Sequence, residues 1–230
     1  WTAALKKHDW TRIDVRDGTL DPSQCDDMLV AQDLEIRGLR NRYLRRGIGT
    51  PLIEVRENQG RSKGERLLPP EGVASPATAV IRFDPVEGEL GESVRTASIT
   101  FYDPRQVKSV AVGNLNVGLA ADFTSAYAYQ ASLVETSSYR RTSFLDPVVL
   151  EEFEGIHLLE PYDPQKIPIL MIHGMGSSPM AWLELTNDIF GDSELRNSYQ
   201  IWHYAYPSGL TFLLSGLTLR HRLDELRDAL

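Results

Sequence analysis

The stretch Lys166–Trp182, KIPILMIHGMGSSPMAW, limits what this chain can fold into more than any other. It begins with Ile167 to Ile172, an apolar run rich in β-branched side chains and free of polar alternation. Such a run reads as a strand covered on both faces, the pattern of a parallel sheet. His173-Gly174-Met175-Gly176 follows as a turn, and Ser177-Ser178-Pro179 opens a helix. Ser178 suits the N-cap, and Pro179 suits the first helical position, where its missing N–H costs nothing. A buried strand therefore feeds a glycine-bearing loop and then a helix N-terminus. Backbone N–H groups and the helix dipole at such a place favour negative charge. A loop of this kind holds either a phosphate or the oxyanion that develops during acyl transfer.

The rest of the chain predicts α/β architecture. Residues 1–50 read as helical and polar, with a start at Asp21-Pro22-Ser23 and a stop at Gly47 and Gly49. Leu52–Val55 suits a short strand, and 57–77 reads as an exposed loop. Residues 1–75 are thus expected to form a helical and loop extension, and 76–230 an incomplete α/β domain that continues past the chain end. Ala77–Phe83, Thr96–Tyr102 and Lys108–Val112 are β-prone segments with short links, an antiparallel meander. Ala120–Val134 predicts a helix capped by Asp122 or Thr124, and Asp146-Pro147 opens a shorter one. Gly155–Leu159 returns to extended chain. After the central strand, Met180–Phe190 predicts a helix with Trp182, Leu185 and Ile189 on one face and Gly191 just past its end. Tyr199–Tyr206 reads as the next strand, and Leu210–Leu230 as a helix with Leu219, Leu223, Leu226 and Leu230 on one face. On that helix Arg220 and Asp224 are spaced for a pair.

A net charge of −8 argues against a general nucleic-acid binder. The single cysteine, Cys25, excludes an internal disulfide framework and a cysteine-based zinc site. No apolar run reaches the length needed to cross a bilayer, which leaves membrane-surface association open. The chain starts at Trp1 and stops at Leu230 inside an amphipathic pattern, so a longer parent protein is expected. Its compartment, cell envelope or cytoplasm, is not legible here.

The loop's chemistry follows from what surrounds it. Gly174 and Gly176 make neither G-x-G-x-x-G nor a G-K-[ST] ending, and the next strand ends in Ala205-Tyr206-Pro207 with no acidic residue for a ribose. Acyl transfer fits better. The segment YDPQKIPILMIHGMGSSPMAW, with YAYPSG downstream, resembles bacterial lipases of the α/β-hydrolase superfamily that carry an added N-terminal region. The resemblance is close over about Leu158 to Leu230 and looser over the strands before it. It implies the N-terminal portion of an α/β-hydrolase fold, in which antiparallel strands lead into a parallel sheet flanked by helices. It also implies an esterase or lipase acting on small-molecule or lipid esters without a cofactor. By the same resemblance Met175 is the oxyanion residue, acting through its backbone N–H. His173, Gly174 and Gly176 shape the loop, and the catalytic histidine comes much later in the chain. Tyr204, Tyr206 and Phe212 are candidates for the wall of an acyl pocket.

The chain departs from that family pattern in one respect. No serine here stands in G-x-S-x-G, and the order Ser, Asp or Glu, His cannot be completed before Leu230. Ser178 reads as a cap. The nucleophile, acid and base are therefore expected beyond this chain, and the fragment alone is expected to be inactive. Two other readings use the same residues. One is a non-catalytic interaction module with the basic segment 37–66 as its contact surface. The other is an acyltransferase or thioesterase on the same fold.

Overall fold

The computed structural model describes residues 12–60, 64–83, 96–136, 154–175, 177–206 and 212–229. Where a helix was expected before residue 50, the described chain is extended. β1 (Arg12–Asp17), β2 (Asp27–Val30), β3 (Leu44–Arg45) and β4 (Thr50–Arg56) are joined by loops and single 3-10 turns. The physical reason is visible in RIDVRD, where Ile13 and Val15 alternate with charged residues at the period of a strand. Asp21-Pro22-Ser23 does start a turn, with Asp21 Oδ1 accepting from the Ser23 N–H at 2.8 Å, but Cys25 is already extended.

β5 (Val73–Phe83) and β6 (Thr96–Tyr102) complete a five-stranded sheet of order β1-β6-β5-β4-β2, in which only β1 runs parallel to its neighbour. The boundary expected at 75/76 falls inside β5, and this sheet draws strands from both sides of it. β7 (Ser109–Val112) does not extend the meander. It pairs with β8 (Leu115–Gly118) as a separate hairpin, turned by Gly113 at φ 57°. β9 (Ala121–Asp122) pairs with β3 and leads into α1 (Phe123–Thr136). Asp122 caps that helix, its Oδ1 accepting from the N–H groups of Thr124 and Ser125 at 3.1 and 2.9 Å. The short helix expected from Asp146 lies outside the described residues.

β10 (Gly155–Leu158) and β11 (Ile167–Ile172) precede a 3-10 turn at Pro179–Trp182 and α2 (Leu183–Gly191). α3 (Ser193–Ser198), β12 (Tyr199–Ala205) and α4 (Phe212–Ala229) follow. β10, β12 and β11 form a second sheet in that order, β11 parallel to β12 and β10 antiparallel to it. β11 is therefore an edge strand among the described residues, not the central strand expected. Ile167 and Ile172 are 60% and 43% exposed accordingly. The strands of 77–112 do not join this sheet either, because α1 stands between the two. Ala126 packs on Ile53, Val55 and Ala74 of the first sheet, while Tyr127 packs on Met171 and Ile201 of the second.

The two faces of the second sheet carry different helices. Met171 and Ile201 pack against Ile189 of α2; Leu158, Trp202 and Tyr204 pack against Leu226 of α4. Fully burying a side chain such as Ile201 contributes about 1.5–3 kcal/mol. Leu185 and Leu223, expected on the buried faces of their helices, are 47% and 40% exposed. Asp224 pairs with Arg227 at 3.2 Å rather than with Arg220. Gly191 is the last residue of α2 rather than the one after it. The chain is thus mixed α/β, with mixed parallel and antiparallel sheets and packed helices.

Candidate active site

The loop expected to carry the chemistry leaves the carboxyl end of β11. His173 is buried beneath it and stacks on Tyr206, with ring centroids 4.3 Å apart and planes 13° apart. Tyr206 stacks in turn on Tyr204 at 5.2 Å, and its hydroxyl donates to the His173 carbonyl at 2.7 Å. The loop's first residue is therefore held from both its ring and its backbone. His173 Nδ1 lies 3.1 Å from the Gly174 carbonyl, which can only accept, so Nδ1 carries the proton. Nε2 is buried with no hydrogen-bond partner among the described residues, so neither Ser177 nor Ser178 pairs with it. Burial lowers the His173 pKa, the Gly174 contact opposing it, and so favours the neutral ring.

Beyond His173 the loop opens to solvent. Met175 is 81% exposed. Among the described residues, nothing lies within 4 Å of where a Cβ on Gly174 would sit, so the space beside the backbone is open. The Ser177 N–H donates to the Gly174 carbonyl at 3.2 Å, which tightens the turn. Gly176 lies outside the described residues. Ser178 occupies the N-cap position in extended conformation, but its side chain makes no capping bond. In this 3-10 start the Ala181 N–H, one of the two donors such a cap can use, bonds the Ser178 carbonyl at 3.0 Å instead.

The proposed pocket wall also changes. Tyr204 is 1% exposed and packs in the apolar cluster under α4, so it belongs to the core. Its buried hydroxyl has no partner among the described residues, and burial pushes its pKa up to about 12. Tyr206 lies partly buried against the same cluster. Phe212 begins α4, and its side chain lies outside the description.

No family model, no curated protein and no solved structure matches the chain.

Several polar contacts here had no signal in the sequence. Tyr43 donates to Asp188 Oδ1 at 2.7 Å, Asn187 Nδ2 donates to the Asn41 carbonyl at 3.0 Å, and the Arg40 N–H donates to Glu184 Oε1 at 3.1 Å. Segment 40–43 is thereby fastened along α2, the helix that follows the loop. On the sheet face under α2, His203 stands opposite both His157 and Met171, with Nε2 3.4 Å from the Thr186 hydroxyl. Burial, with smaller contributions from His157 and His173, lowers its pKa to about 4.

Three arginines of the basic segment are engaged within the chain: Arg42 binds Asp122 at 2.6 Å, Arg45 donates to the carbonyls of Leu119, Pro104 and Val107, and Arg56 pairs with Glu54. Among the described residues no cluster of His, Cys, Asp and Glu is placed to hold a metal ion. None of the described helices is long and apolar enough to cross a membrane.

Proposed function

We propose that this chain supplies the oxyanion-binding half of a serine hydrolase acting on carboxylic esters, built on an α/β-hydrolase framework. In this reading the Met175 N–H is aimed at the substrate oxyanion, and Gly174 leaves room for the scissile carbonyl. The nucleophile, acid and base come from sequence following Leu230. His173 takes no proton in the reaction; it anchors the loop through Tyr206.

The observation that carries the reading is how the helices leave the second sheet. α2 packs on one face and α4 on the other. Right-handed crossovers on opposite faces step in opposite directions across a sheet. The step through α2 leads from β11 to β12, and β10 already occupies the far side of β12. A right-handed step through α4 would lead back across β12 and β11 to the open edge of β11. A strand arriving there would make the carboxyl end of β11 a topological switch point, where open α/β sheets bind their ligands. The loop 173–175 stands there, and a nucleophile at the end of the incoming strand would face it.

The test uses the full-length gene product. A fluorophosphonate probe should label one serine after residue 230, within G-x-S-x-G. Met175→Pro, which deletes the N–H, should lower kcat by about 10²–10³, while Met175→Ala stays close to wild type. Absence of any labelled serine sinks the reading and leaves the non-catalytic module in its place.

A further inference from the structure

Arg196 is only 7% exposed, yet among the described residues no carboxylate pairs with it. From α3 it reaches back to the end of α2, where Nη1 donates to the carbonyls of Phe190 and Gly191 at 3.3 and 3.0 Å. Its guanidinium carbon lies 4.0 Å from the centre of the Phe123 ring, at the start of α1. Those contacts use one nitrogen and one face. Nε is buried with no partner, and Nη2 makes no hydrogen bond, among the described residues. Arginine keeps its charge at neutral pH, so a buried and unpaired guanidinium is costly until an anion meets it.

We infer that the cavity beside Arg196 binds a short-chain carboxylate, held on the Nε and Nη2 edge of the guanidinium. The cavity is about 50 Å³ and is walled by β5, α1, the ends of α2 and α3, and the chain around Leu159 and Lys166. A water needs about 10–15 Å³ of such space, so there is room for roughly three or four waters, or an acid of about two or three carbons. Water can satisfy the Nε proton but leaves the charge unmatched. A carboxylate does both, because its two oxygens fit the two N–H groups of one guanidinium edge. Pro76, Tyr127, Leu159 and Phe190 offer its hydrocarbon end an apolar wall. The further oxygens of a phosphate would lie against that wall without donors.

The other charges of the lining are already matched. Arg105 binds Asp103 at 2.9 Å and lies 3.8 Å from Glu160, while Lys166 binds Glu160 at 2.9 Å. Two cations meet two carboxylates there, which leaves Arg196 uncompensated. Arg45 adds to the positive potential, since it stands 5.7 Å from the centre of the Phe123 ring and donates only to carbonyls. Burial, aided by Arg45 and opposed by Asp192, lowers the Arg196 pKa, the direction expected of a guanidinium short of anions.

Arg105, Glu160, Lys166 and Asn197 also line an outer pocket of about 410 Å³, the way in from solvent. The site lies at the amino ends of β11 and β12, which Lys166 and Asn197 precede. Loop 173–175 leaves the carboxyl end of β11, about 20 Å further along that strand. The site therefore does not rest on the hydrolase reading. Occupied, it links β5 of the first sheet to α3, which feeds the second.

The experiment titrates the full-length protein, ¹⁵N-labelled in arginine, with sodium propionate at fixed pH and ionic strength. The Arg196 Nε–H signal, assigned by its loss in Arg196→Lys, should shift. Propionamide, of the same shape but uncharged, should leave it in place. Phosphate should bind about tenfold more weakly than propionate for want of donors. Hexanoate should do the same because its tail overfills the cavity. Arg196→Lys keeps the charge but removes the fork, so propionate, followed by its own ¹³C carboxyl signal, should bind about tenfold more weakly or worse. The comparisons among ligands use the wild type, so they test the inference even if the variant does not fold. An Arg196 signal unmoved by propionate, or moved equally by propionamide, overturns it. So does phosphate or hexanoate binding as tightly as propionate, or a folded Arg196→Lys binding propionate as tightly as the wild type.

Discussion

Gly191→Ala tests how the N-terminal segment is joined to the rest of the fold. A Cβ on Gly191 would stand 2.1 Å from Tyr43 Cγ and 2.2 Å from Cδ2. Carbon atoms in contact sit about 3.5–4 Å apart, so the ring would have to move by roughly 1.5 Å. Tyr43 is not free to do so. Its hydroxyl donates to Asp188 Oδ1 at 2.7 Å, its N–H donates to Thr124 Oγ1 at 2.9 Å, and its carbonyl accepts from the Phe123 N–H at 3.0 Å. Overpacking costs about 1–3 kcal/mol, and disturbing the phenol–carboxylate bond adds about 1 kcal/mol at this half-buried site. Against this, alanine in a helix is favoured over glycine by about 0.5–1 kcal/mol. The net expectation is a loss of about 2 kcal/mol, read by urea unfolding with an unchanged m value. In a Tyr43→Ala background the clash is gone, and the same substitution should become neutral or stabilise by up to about 1 kcal/mol. The change of sign is the decisive result. Equal losses in both backgrounds, or no loss in the wild type, would refute the packing argument.

Three further outcomes follow from the polar groups. His203 has a folded-state pKa of about 4 against an ordinary value of 6.5, so the stability it contributes is fully present above pH 6.5 and is lost as pH falls toward 4. Unfolding free energy should fall over that window by up to about 3 kcal/mol, and His203→Gln should flatten the profile. Asp122→Ala removes the α1 cap and the partner of Arg42 together and should cost about 2–4 kcal/mol in urea melts. Asp122→Asn should cost about half as much because it keeps a capping oxygen. Burial, aided by Glu54, pushes the Cys25 thiol up to about 12, so its reaction with a disulfide reagent at pH 8 should be far slower than that of a free thiol. Glu54→Gln should quicken it, and an unchanged rate would show that the carboxylate does not act on the sulfur.

What the sequence revealed and what it hid divide along physical lines. β4, α1 with its Asp122 cap, β10, β11, β12 and α4 each carry a local signal: an apolar run, a capping side chain or a helical leucine spacing. The N-terminal strands were hidden because their apolar residues are few and scattered among charges, although Ile13 and Val15 in RIDVRD alternate at strand spacing. The uninterrupted apolar run of β11 implies cover on both faces, yet in the described chain Ile167 and Ile172 remain 60% and 43% exposed. At the candidate site, the order strand, loop, helix, strand was legible. The Tyr206–His173 stack and the docking of Tyr43 on Gly191 were not, since each joins residues far apart in sequence. Nothing local in the sequence signals that Leu34 and Ile36 line one groove with Met180; only the fold brings them together.

The pairing of β1 with β6 sets a timetable for synthesis. Arg12 aligns with Thr96, about 84 residues later, and the strands run parallel. At translation rates of about 5–20 residues per second, β1 leaves the ribosome roughly 4–17 s before its partner has been made. Hairpin closure takes microseconds, so β4 and β5 can pair during that interval while β1 waits with its backbone groups unmatched. The charges that flank Ile13 and Val15 keep such a strand from pairing with another chain in the meantime. Replacing Arg12, Arg16 and Asp17 with threonine would leave the register available but remove that protection. The variant should aggregate when translation is slowed between residues 60 and 95 and fold normally when it is not.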